Sequence, residues 1–207
     1  GVAEIHYWHG FDRLLKGLAN YYIHSPQYKV YFHIIGDFFS PREREEYMSI
    51  IKENHLAPYV ILHGRQAGQM LDLLFELCDF GIGSLGRHRS GITNIKTLKN
   101  REYAARGIPF IYSEIDEDFE NMPYIMKIPA NEEAVDIKQI LNFYNQLHIT
   151  PLEIRNSIRH LSWNNQMKKV LDEMQKKDKI NPNNNNIANF ATLYTNKFIP
   201  NKEKWPH

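Results

Sequence analysis

The sequence predicts an α/β fold, a doubly wound parallel sheet flanked by helices, and three observations carry that expectation. Apolar runs of strand length, Lys29 to Ile35, Pro58 to His63, Phe80 to Leu85 and Ile108 to Tyr112, are nearly continuous, as strands buried on both faces must be. Stretches of helical period separate them, so strand and helix alternate along the chain. The connections between them are short, often marked by Gly, and suit a wound sheet rather than a barrel of hairpins.

Taken in order, Gly1-Val-Ala reads as the end of a strand and Gly10 as the entry to a helix whose inner face is Leu14, Leu15, Leu18 and Tyr22. Lys29 to Ile35 reads as a central strand closed by Gly36-Asp37. Ser40-Pro-Arg-Glu43 has the pattern of a capping box with Pro in the first turn. Pro58 to His63 is the next strand, ended by Gly64-Arg65. Met70, Leu73, Leu74 and Leu77 form an apolar stripe expected to face the core. Phe80 to Leu85 then leads into the polar loop Arg87, His88, Arg89, Ser90, Gly91, Thr93, Asn94 and Lys96. Thr97 is placed to cap a short helix with Leu98 and Tyr103 on its inner face, and Gly107 to stop it before a Pro-containing strand. Tyr124 to Ile128 is the last strand, Ala134 to Leu147 a helix, and Thr150-Pro-Leu-Glu153 a second capping box opening a helix to about Leu161. Ser162-Trp163-Asn164 starts the final helix. The Asn-rich stretch from Asp178 reads as a tail, giving domains of 1–177 and 178–207.

Composition limits the function. The 207 residues, 43% hydrophobic and 24% charged, suffice for one sizeable core. A net charge of +1 argues against a nucleic-acid partner, which calls for a strongly basic face. The single Cys78 permits no internal disulfide and fits a reducing, cytoplasmic setting. The chain lacks an initiator Met, as expected of a piece of a longer polypeptide. Asp116, Glu117, Asp118 and Glu120 lack the spacing and turn glycine of a Ca²⁺ loop and read as a solvated segment.

The loop from Arg87 to Lys96 lies where a parallel sheet opens its binding crevice, at the carboxyl end of a strand. A helix start there concentrates unpaired N–H groups and partial positive charge, so a diphosphate is its natural ligand. Lys96 and Lys99 near that start are unfavourable unless an anion lies above them. Gly81-Ile-Gly-Ser-Leu-Gly86 also matches G-x-G-x-x-G, with Glu114 near the position of a ribose-binding acid, which keeps an NAD-dependent oxidoreductase as an alternative. A non-catalytic α/β binding module is the other.

Leu98-Lys-Asn-Arg-Glu-Tyr103 followed by Ala104-Ala-Arg-Gly-Ile-Pro-Phe-Ile111 resembles the E-A-M-A-x-G-x-P-V-I signature of retaining GT-B glycosyltransferases of family 4, in its L-K-x-x-E-Y variant. Gly10-Phe-Asp-Arg-Leu-Leu15 is similar to the family's K-G-x-D-x-L-L segment, with His9 in place of the lysine and Glu4 at the position of the usual arginine. The resemblance covers about residues 2 to 177 and implies one half of a GT-B fold, Rossmann-like, that binds a nucleoside diphosphate sugar such as a UDP- or GDP-hexose. It implies roles for His9 and Lys99 at the leaving diphosphate, for Glu102 at the ribose, and for Gly36, Gly64, Arg65, Lys96, Thr97 and Leu98 around the nucleotide. Asn94 stands where the family has a sugar-binding glutamate. The activity implied is transfer of a hexosyl group with retention to a glycan or lipid-linked acceptor, as in polysaccharide biosynthesis, with no cofactor and no metal. The acceptor domain would precede this chain in the same polypeptide, and a peripheral membrane position of that whole protein fits a lipid-linked acceptor. The fragment alone is expected to be inactive.

Overall fold

A computed structural model describes residues 1–24 and 26–180, with side chains to 176; the Asn-rich segment lies beyond the described residues. The chain divides into two compact units, the first from Gly1 to Ser157 and the second beginning at Ile158.

The first unit is built as the strand and helix patterns anticipate. Helix α1 (Phe11–Tyr22) buries Phe11, Leu14, Leu15 and Leu18. Strands β1 (Phe32–Ile34) and β2 (Val60–Leu62) pair in parallel, joined by α2 (Pro41–Glu53). After α3 (Gly68–Glu76) come β3 (Gly81–Ile82), α4 (Leu98–Arg106), β4 (Phe110–Tyr112) and β5 (Ile125–Lys127), with β4 central and parallel to both neighbours. Helices α5 (Ile137–Asn145) and α6 (Pro151–Ser157) complete the unit. The second unit holds a 3₁₀ turn, Arg159–Leu161, and α7 (Trp163–Ile180).

The result is α/β, parallel sheets flanked by helices in Rossmann-like order. The pairing is less continuous than one wound sheet, since β1–β2 and β3–β4–β5 form separate ladders. The N-terminal segment extends the first ladder through parallel bridges of Val2 to Ile35 and Ile5 to Phe38. Between that segment and β3 a side chain replaces the missing rungs. The buried Tyr103 hydroxyl accepts from the Val2 N–H at 3.3 Å and donates to the Ile82 carbonyl at 2.9 Å. Gly81 makes room for it, since a Cβ there would lie 2.7 Å from the Tyr103 ring.

Local signals fare unevenly. Thr97 caps α4 by accepting from the Asn100 N–H, and Gly107 ends the helix at φ 76°. Thr150 and Glu153 make both arms of their capping box, but that helix stops at Ser157 rather than near Leu161. Ser40 does not cap backbone; its hydroxyl donates to the Glu43 carboxylate. Two apolar expectations are corrected. On α3 the buried pair is Leu74 and Phe75, while Met70, Leu73 and Leu77 are exposed, because periodicity defines a face without saying whether anything covers it. Leu98 is 82% exposed, because it occupies the first helical position after the cap, outside the packed turn that starts with Asn100 and Tyr103.

Candidate functional site

Three elements converge at the carboxyl ends of β3 and β4. The 3₁₀ turn Tyr7–His9 brings in His9, whose carbonyl accepts from the Leu85 N–H at 2.9 Å. Gly10 then turns with φ 65°, and a Cβ there would sit 2.6 Å from the Gly86 nitrogen, so only glycine allows the two loops to meet. The second element is the 3₁₀ turn Arg87–Ser90, and the third is the N-terminal turn of α4 with Lys99. Glu114 closes the group two residues past β4.

Arg87, His88, Lys99 and Glu114 share an unmet demand for hydrogen bonds. Seven buried side-chain polar atoms lack a partner among the described residues, and six belong to the stretch 87–114: Arg87 Nε, His88 Nδ1, Lys99 Nζ, Asn100 Oδ1 and both carboxylate oxygens of Glu114. Each such atom costs about 1 to 3 kcal/mol, more when charged, so their clustering marks a place built for something other than stability. The Lys99 ammonium faces the ring of Phe11 at 5.3 Å, a contact that only partly replaces its lost hydration. Arg87 lies over Trp8 at 5.7 Å.

Burial governs the charge states. It lowers the Lys99 ammonium to about 7, with Arg87 lowering it further and Glu114 opposing. The same desolvation raises the Glu114 carboxyl, against the pull of its own backbone N–H, of Lys99 and of Arg87. Burial also lowers His9 to about 2, helped by the positive neighbours Lys99 and Arg87, so the ring is neutral at physiological pH. His9 Nδ1 accepts from the His6 N–H at 3.0 Å, which leaves the ring proton on Nε2 as a donor. Lys99 and Glu114 feel each other's charge without forming an ion pair, and the group presents two cations, a neutral donor and an unpaired carboxylate.

The other sequence-selected residues are placed differently. Gly36 (φ 125°) and Gly64 (φ 64°) meet through a 2.7 Å backbone bond at the ends of β1 and β2, with Arg65 exposed beside them. Asn94 is exposed and bridges by backbone to Ile115, beside Glu114. Lys96 is half-exposed and paired with Asp118 at 3.1 Å and Glu117 at 3.5 Å, so an acidic loop of the protein itself supplies its counter-charge. Glu102 is half-exposed and ion-paired with Arg106 at 2.6 Å, which also reaches Asp72. The acidic run is solvated only in part, with Glu117 exposed and Asp116 not. Asp116 is fully buried, receives both guanidinium nitrogens of Arg101 at 3.0 and 3.2 Å, and accepts from Asn100. Asp116-Glu117-Asp118 has Asp-x-Asp spacing, but the protein's own cations hold its aspartates, a structural role.

The glycine motif is accounted for by packing. Gly81 admits Tyr103, a Cβ at Gly83 would lie 2.7 Å from the Ile111 carbonyl, and Gly86 abuts Gly10. Gly86 leads into a 3₁₀ turn, so the long helix that a dinucleotide fingerprint needs does not start there. A cleft of about 620 Å³ opens at the far end of α4, lined by Phe75, Arg106, Gly107, Ile108, Tyr144 and Ile154. Arg106 there is satisfied by Glu102 and Asp72, so the unmet demand is not at that cleft.

His9 and Lys99, both singled out from the sequence, stand in this group; Arg87 reads there only as part of a basic loop and Glu114 as part of a rival motif, since only the fold brings strand end, turn and helix start together.

No protein-family model matches the chain, and no curated protein matches it. The crystal structure of Anabaena Alr3699/HepE in complex with UDP is similar in structure, with a TM-score of 0.60 at 16% identity, covering 83% of this chain and 47% of that one. The likeness is one of fold, an α/β, Rossmann-like architecture. This chain spans about half the length of that protein. Among the described residues no helix is long and apolar enough to cross a membrane.

Proposed function

We propose that this chain is the donor-binding half of a GT-B glycosyltransferase, holding a nucleoside diphosphate sugar at the cluster of His9, Arg87 and Lys99. The observation that carries the proposal is the buried, unpartnered ammonium of Lys99 at the N-terminus of α4, where backbone N–H groups and the helix dipole already favour an anion. UDP bound to a protein of similar fold supports it.

In the transfer reaction the bond between the anomeric carbon and the diphosphate oxygen breaks, and negative charge develops on the leaving diphosphate. Lys99 and Arg87 stabilise that charge, and His9 donates a neutral hydrogen bond from Nε2. Because these groups are desolvated before the ligand arrives, each contact is stronger than it would be in water. The acceptor attacks the same face of the sugar from a domain outside this chain, giving retention, and no metal is required. Glu102 is open on the solvent side for a ribose, with Thr97, Leu98, Gly36, Gly64, Arg65 and Lys96 at the periphery of the nucleotide. Transfer to a glycan or lipid-linked acceptor would place the whole protein in polysaccharide assembly, cytoplasmic or peripheral at a membrane.

The test is calorimetric titration of the 207-residue chain with UDP, UMP, GDP, GMP and NAD. A nucleoside diphosphate should bind at least tenfold tighter than its monophosphate and tighter than NAD. Equal binding of diphosphate and monophosphate, or preference for NAD, would overturn the assignment.

A further inference from the structure

The cations of the cluster explain an anion, but nothing in that explanation uses Glu114. Its side chain is almost wholly buried, residue exposure 3%, and no side chain of the described residues pairs with either carboxylate oxygen, which only the N–H groups of Ser113 and Glu114 itself approach. A carboxylate beside a phosphate site is an odd choice, since it repels the ligand that Lys99 and Arg87 attract. Nor is it there to pair with them. Neither lies within ion-pair distance of it, whereas nearby Asp116 and Asp12 are fully engaged by arginines. Its backbone is tied down: the Lys127 ammonium donates to the Glu114 carbonyl, and the adjacent Ile115 N–H donates to the Thr93 carbonyl at 2.7 Å. The carboxylate is thus held in place with no side-chain partner, within electrostatic reach of two cations.

A ligand that satisfies this mixed group is anionic in one part and rich in neutral donors in the next. We infer that Glu114 is the acceptor for hydroxyl groups of the transferred sugar, so that the site grips the hexosyl group as well as the diphosphate. This rests on the donor-binding reading above. A carboxylate accepting two hydroxyls makes charge-assisted bonds, which recover the desolvation that the empty site suffers. Asn94, whose backbone pairs with Ile115, sits exposed on the loop alongside and supplies no buried carboxylate, so Glu114 fills that role from the strand end. The same carboxylate weakens the bare diphosphate by repulsion, which biases the site toward the sugar-bearing form over the product left after transfer.

The 207-residue chain and its Glu114→Ala and Glu114→Gln variants are titrated with UDP, GDP, UDP-glucose, GDP-mannose and deoxy analogues of the two sugars. In the wild type at least one sugar nucleotide binds about tenfold tighter than its parent diphosphate, and removing one hydroxyl erases most of that gain. In both variants the gain is lost, the same deoxy substitution has no further effect, and the parent diphosphate binds severalfold tighter because the repulsion is gone. A misfolded variant could not bind the parent more tightly. An unchanged ratio of sugar nucleotide to parent in the variants, or no sugar gain in the wild type, overturns the role of Glu114 while leaving diphosphate binding intact. Absence of binding by any diphosphate overturns the donor reading, and the role of Glu114 falls with it.

Discussion

Arg87 and Arg89 stand two residues apart in one short turn, and their surroundings are opposite. Arg89 is saturated: it reaches Asp12 through two nitrogens at 2.7 and 2.9 Å, the Glu132 carboxylate, and the Tyr7 carbonyl at 2.8 Å. Arg87 keeps its Nε buried without a partner, and burial lowers its guanidinium below the ordinary value. The same contrast separates Asp116, held by Arg101 and Asn100, from Glu114, whose carboxylate has no side-chain partner. Side chains of one chemical type serve structure when their hydrogen bonds close on the protein and serve a ligand when they do not.

Substitutions that set the two groups against each other test this division. The largest effect is expected for Asp12→Ala, which takes away the buried carboxylate that Arg89 grips with two nitrogens and leaves that guanidinium to Glu132 and the Tyr7 carbonyl; losing charge-assisted bonds of this kind costs about 1.5 to 3 kcal/mol of stability, read by urea denaturation. Glu114→Gln should do the reverse and leave stability unchanged or raise it, because a buried uncompensated carboxylate disappears. A loss as large as that of Asp12→Ala would place Glu114 in the structural group.

Next in size is Lys99→Met. It should weaken UDP or GDP by about tenfold or more, the worth of one charge-assisted contact, while raising stability by about 1 kcal/mol through removal of an unpaired ammonium. Titration and denaturation on the same variant check both signs. A variant that is less stable and binds equally well would break the comparison.

The pH dependence sharpens it further. With Lys99 lowered from 10.5 to about 7 in the folded state, the unfolded chain binds more protons between those values, so this residue makes stability rise with pH from about 7 toward 10.5. Diphosphate binding should show the opposite slope, weakening above about pH 7 because the ammonium must regain a proton to meet the ligand. Both slopes should vanish in Lys99→Met, as measured by denaturation and titration across that range.

The smallest effects belong to residues whose charges are already met at the surface. Lys96→Ala and Glu102→Gln should each change stability by less than about 0.5 kcal/mol and diphosphate affinity less than threefold. A tenfold loss in Glu102→Gln with UDP but not with its 2′-deoxy analogue would move the ribose contact to the centre of the site.

How far the sequence could be read depends on the range of each signal. The alternation of strand and helix, the Thr97 cap, the Gly107 stop and the Thr150 box are local, and local patterns survive into the structure. Lys99 was legible because a cation at a helix start is locally unfavourable. Glu114 and Arg87 were not joined to it, since 27 positions separate them in sequence and only the parallel pairing of β3 with β4 brings their strand ends together. The same lack of range hid the burial of Asp116, which depends on where α4 aims Arg101, and the exposure of Met70, Leu73 and Leu77, which depends on what lies against α3.

The Tyr103 hydroxyl spans the seam between the two half-sheets, one turn of α4 beyond Lys99. A helix pinned to the sheet in this way cannot turn about its axis without breaking a bond to Val2 or to Ile82. An anion drawing on Lys99 therefore pulls on a tether whose far end is a single backbone amide, 101 residues away in the chain. In a nitrogen–proton NMR spectrum the Val2 amide should therefore shift as a nucleoside diphosphate is titrated in, and an unmoved Val2 signal at saturation would show that the phenol transmits nothing.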